Sequence, residues 1–88
     1  MEELIRSLYS KYAAGLSEDE MNEKVQYALQ QDPNEFIDAF YQKYTGAGPS
    51  SDQVNYMNSY LSNKPEDKAI FYQWLNISSG SGIDSSKL

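Results

Sequence analysis

FIDAFYQKY, from Phe36 to Tyr44, places Phe36, Ile37, Phe40, Tyr41 and Tyr44 at i, i+1, i+4, i+5 and i+8. Residues at that spacing line one side of an α-helix, because each step turns the chain by about 100°. LIRSLYSKY, from Leu4 to Tyr12, sets Leu4, Ile5, Leu8, Tyr9 and Tyr12 at the same offsets. The punctuation around FIDAFYQKY agrees with a helix. Asp32 is a good N-cap, Pro33 suits the first helical position, and Glu35 follows three residues after the cap. Beyond Tyr44, the residues Gly46, Gly48 and Pro49 forbid continuation.

The same signals divide the rest of the chain. Gly15 ends the first helix, and Ser17 with Glu20 forms a capping box that opens a second, with Met21, Val25, Ala28 and Leu29 on one face. Ser50 or Ser51 caps a fourth helix that turns Val54, Met57, Tyr60 and Leu61 inward. Pro65 opens a fifth, which carries Ile70, Phe71, Trp74 and Leu75. After Ile77 the chain reads SSGSGIDSSKL, which has no periodicity and reads as a flexible tail over 78–88.

The two quoted stretches belong to a longer correspondence. At the same offset Val25 meets Met57, Leu29 meets Leu61 and Pro33 meets Pro65, while a one-residue shift in the loop pairs Ser17 with Ser50 and Asp19 with Asp52. Matching caps and prolines are harder to produce by chance than matching stripes. The expectation is an all-α fold of five short helices in a single domain, 1–77. Two tandem helical hairpins, about 2–32 and about 33–64, are followed by a capping helix at about 65–77. A lone hairpin cannot bury both its stripes, so neighbouring hairpins share a core and the fifth helix covers its open end.

Composition removes several function classes. There is no Cys and no His, and Arg6 is the one Arg in a chain of net charge -6. Disulfides, thiolate sites, the usual general base and the commonest metal ligand are all absent. Nucleic acid is not an expected partner. Neither a membrane-spanning run nor a signal-peptide pattern is visible, so a cytoplasmic location, or one within a phage particle, is expected. No nucleophile–base pair or phosphate loop can be argued, so the protein is not expected to be an enzyme or to hold a metal, cofactor or small-molecule substrate.

The spacing of Leu8, Tyr12, Ala28 and Pro33 resembles that of a tetratricopeptide repeat, although Tyr9 and Met21 stand where small residues would let the helices pack closely. Tyr41, Gly46, Pro49, Asp52 and Tyr56 resemble the short helical-hairpin modules of bacterial surface proteins and phage virion proteins, without the loop Arg of that pattern. This second resemblance implies a scaffold or interaction role.

Two functions follow as expectations. Eight Tyr, each with a large apolar body and a polar tip, favour a protein–protein interaction or structural module, such as an accessory part of a phage particle or other assembly. Tyr41, Tyr44, Tyr56 and Tyr60 are its candidate contacts, with a protein partner or a second copy of the chain. The alternative is a small acidic inhibitor or immunity-type protein. Glu18, Asp19, Glu20 and Glu23 would then cover a basic surface of its target.

Overall fold

In a computed structural model, which describes residues 1–77, 83 and 85–88, five helices surround one core and no strand occurs among the described residues. They are α1 (Glu2–Tyr12), α2 (Glu18–Leu29), α3 (Pro33–Thr45), α4 (Ser51–Tyr60) and α5 (Pro65–Ile77), with a 3₁₀ turn at Ser85–Lys87.

The helix starts follow cap chemistry. Ser17 and Glu20 close a reciprocal box at α2, and Ser50 with Gln53 does the same at α4. Asp32 works alone at α3: its carboxylate accepts from the Asn34 and Glu35 amides at 3.0 and 3.2 Å. Gly46 ends α3 at φ 78°, a left-handed conformation that glycine adopts without a Cβ clash.

Helix α1 starts differently. Its N-cap, Met1, offers no side-chain acceptor. The buried Asp67, in the first turn of α5, supplies one from across the fold. One Asp67 oxygen accepts from the Leu4 amide at 3.0 Å, and the other pairs with the Met1 amino group. The first amides of a helix have no partner within it, so Asp67 caps α1 as an N-cap side chain would.

The expected stripes form the core. Leu4, Ile5, Leu8 and Tyr9 of α1, and Phe36, Ile37, Phe40 and Tyr41 of α3, are fully buried together with Leu61. Phe71 and Trp74 complete the core from α5. Two stripe positions are corrected. Leu29 is 40% exposed and Tyr60 36% exposed. Tyr60 precedes Leu61 by one residue, a rotation of about 100° that carries it off the buried line. Leu29 stands at the edge of its stripe on the last residue of α2.

Packing does not reproduce the repeat. Helix α1 packs chiefly on α2, but α3 packs chiefly on α5 rather than on its sequence neighbour α4. The correspondence is one of caps and stripes. The bulky pair Phe71 and Trp74, with Tyr41 stacked on Trp74 at 5.1 Å, gives α3 more apolar surface on α5 than α4 offers through its one buried residue, Met57. With extents of 29 × 27 × 22 Å, the helices wrap a common centre instead of extending as a stack.

The stretch 78–88 also departs from expectation where it is described. Residues 78–82 and 84 lie outside the described residues. Ile83 packs against the core, and Leu88 is fully buried within it.

Candidate interaction surfaces

The four candidate tyrosines divide three ways. Tyr41 is fully buried, its ring parallel to Trp74 within 7°, so it belongs to the core and presents nothing to a partner. Tyr44 is half-buried, and its hydroxyl is committed to the chain's own Leu88 at 2.7 Å. Only Tyr56 and Tyr60 share a surface. They stand one turn apart on α4 with rings stacked at 6.2 Å. The Lys11 ammonium lies 4.4 Å from the Tyr56 ring centre and the Lys64 ammonium 4.6 Å from that of Tyr60. These distances are within cation–π range. Lys11, Tyr56, Tyr60 and Lys64 thus form a strip with aromatic faces in the middle and a cation at each end. Tyr72 of α5 is also exposed, and its hydroxyl donates to Asn58 on α4.

The acidic candidates stay together. Glu18, Asp19, Glu20 and Glu23 are all exposed on α2. Glu20 already has a local task, accepting from the Ser17 amide at 3.0 Å. That bond and the Ser17 hydroxyl hold its carboxyl below the ordinary range. Asp19, Glu20 and Glu23 line an open concavity with Asn22, Gln26, Tyr27 and Gln30. Arg6 reaches toward it, donating to the Asn22 side chain at 2.9 Å.

Sequence reasoning missed a third arrangement. The Tyr9 and Tyr44 hydroxyls both donate to the main-chain oxygen of Leu88, at 3.2 and 2.7 Å, while the leucine side chain is buried. Beside it the Lys87 ammonium lies 5.6 Å from the Tyr27 ring centre. Glu20, Glu23, Lys24, Tyr27 and Lys87 line one cleft. The available signal was an apolar residue, Leu88, in a stretch otherwise dominated by Ser and Gly.

Among the described residues, no group of three or more Asp and Glu is placed to hold a metal ion. No helix among the described residues is long and apolar enough to cross a membrane.

Burial raises the phenol pKa values of Tyr9, Tyr12, Tyr41 and Tyr44; neighbouring phenols add to the effect at Tyr9 and Tyr41, where it is largest. The folded state therefore prefers the neutral phenol, whereas an unfolded tyrosine ionises near pH 10. A raised folded value means that stability is intact below about pH 10 and falls as the pH climbs beyond it. The readout is an alkaline titration followed by phenolate absorbance. Tyr9 and Tyr41 should ionise only together with loss of helical circular dichroism. A single ordinary phenolate transition for all eight tyrosines with helix content unchanged would contradict this.

Compared with family models, curated proteins and solved structures, the chain matches none.

Proposed function

We propose that the protein is a non-enzymatic protein–protein interaction module that serves within a larger assembly. The observation that carries this reading is the Tyr56–Tyr60 stack on α4, in which half-buried Tyr56 rests against the core and Tyr60 is exposed, framed by Lys11 and Lys64. Aromatic side chains present large contact area while losing few rotatable bonds, and they dominate binding energy where water is excluded. The stack is already ordered before any partner arrives, which reduces the entropy lost on binding.

The test is recovery of the partner from the native source at low and high salt. An aromatic contact survives high salt. The double change Tyr56→Ala and Tyr60→Ala should weaken it by about 2 kcal/mol or more, roughly thirtyfold in Kd, while circular dichroism stays helical.

A second reading is favoured by the exposure of Glu18, Asp19, Glu20 and Glu23, the last three around one concavity: an acidic inhibitor seated on a basic target. That association would slow steeply with ionic strength and respond to Glu23→Lys rather than to the tyrosine changes.

A further inference from the structure

Lys87 and Leu88 occupy adjoining subsites built by three helices. The first takes an apolar side chain together with a main-chain oxygen. Leu88 is wholly buried there, and two phenols from different helices, Tyr9 of α1 and Tyr44 of α3, converge on its oxygen. Tyr9 is itself fully buried. Without an occupant its hydroxyl would lack this acceptor, and a buried donor left unpaired is costly. The second subsite takes a cation. Lys87 lies over the Tyr27 ring in a cleft shared with Glu20 and Glu23. Lys24 on the same cleft offsets one carboxylate, which leaves one negative charge for an incoming cation.

The geometry points to a peptide-binding site for a partner segment in which Lys is followed by Leu. We propose that the chain's own Lys87–Leu88 fills this seat until such a segment displaces it. The chain itself displays the ligand chemistry: a cation over an aromatic face in a cleft lined by carboxylates, then a leucine whose main-chain oxygen takes two hydroxyl donors. The seat uses different residues from the Tyr56–Tyr60 strip, so either site can fail without the other.

A seat filled in cis lowers a competing ligand's apparent affinity in proportion to the fraction of time the seat is free. Leu88→Asp should empty it, because a carboxylate is not tolerated in the apolar subsite. The probe is a Ser-Ser-Lys-Leu peptide labelled with fluorescein at its N-terminus, so that its leucine ends as Leu88 does in the structure, followed by anisotropy against the full chain. The Leu88→Asp chain is expected to bind it about tenfold or more tightly than the unmodified chain. A Ser-Ser-Glu-Asp control should not bind. Equal binding of the two peptides, or equal affinity of the two chains, overturns the proposal. If Leu88→Asp does not fold, the unmodified chain answers by magnetic resonance. Excess peptide should move the Lys87 and Leu88 amide signals to random-coil positions, and signals that stay in place overturn the proposal. A dimer that forms on concentration and is dissolved by the peptide would assign the seat to a second copy and overturn the partner assignment.

Discussion

Replacing Phe40 by Ala is expected to lower the unfolding free energy by about 4 kcal/mol. Phe40 is fully buried where α1 and α3 meet. Tyr9 stands edge-on to it at 4.9 Å and Tyr44 lies at 4.5 Å. Phe36, Tyr12 and Tyr41 surround it at 5.9, 6.1 and 6.2 Å. Truncation removes the ring's transfer free energy and leaves a cavity that five neighbouring rings cannot readily fill, because each is held by other contacts. A domain of this size has a total stability of about 4–13 kcal/mol, so the loss is a large share. Urea unfolding followed by Trp74 fluorescence provides the readout, since the single Trp is 4% exposed and sits in the same core. Phe40→Leu, which fills most of the volume, should cost much less. A shift below about 1 kcal/mol for the Ala variant would mean that the aromatic cluster is not the centre of the fold.

Asp67→Ala is expected to cost about 3 kcal/mol, although the residue lies in the first turn of a helix where an Asp is unremarkable by sequence. The carboxylate is 5% exposed and holds both the Leu4 amide and the Met1 amino group. Its removal leaves a buried amide without an acceptor and an ammonium without its counter-charge. Asp67→Asn keeps one carbonyl oxygen for the Leu4 amide and should fall between the two. Asp52→Ala, at an exposed first-turn position of α4, is the control and should change stability by less than about 1 kcal/mol. Equal effects at 52 and 67 would show that Asp67 acts only through its own helix dipole and does not cap α1.

What the sequence displayed and what it hid separate by the distance over which each interaction acts. Ser17 with Glu20 and Ser50 with Gln53 are bonds between residues three apart, so they are visible as spacing. The stripes of α1 and α3 are visible for the same reason, since one face of a helix is a period. The Asp67–Leu4 bond spans 63 positions, and no local pattern encodes it. The tyrosines show a different limit. Tyr41 and Tyr60 are chemically identical, yet Tyr41 stacks on Trp74 in the core while Tyr60 faces outward beside Lys64. Period alone places a tyrosine on a stripe edge; the neighbour that arrives from another helix decides whether it is covered. The same holds for the repeat, whose caps and stripes are real in the sequence while α3 takes α5 as its partner. Leu88 was hidden because a single leucine among serines has no period at all.

The cap that Asp67 supplies to α1 has a consequence for the order in which the molecule can be made. Synthesis proceeds from the N-terminus at about 5–20 residues per second, so α1 waits roughly 3–13 s for an acceptor that lies 63 residues downstream. Short helices are marginal on their own, and an uncapped one more so. The Leu4 amide therefore lacks this acceptor until the fifth helix has emerged and docked. The contact that completes the start of the first helix therefore belongs to the fifth, and the two ends of the helical domain are tied by a bond that forms late in synthesis.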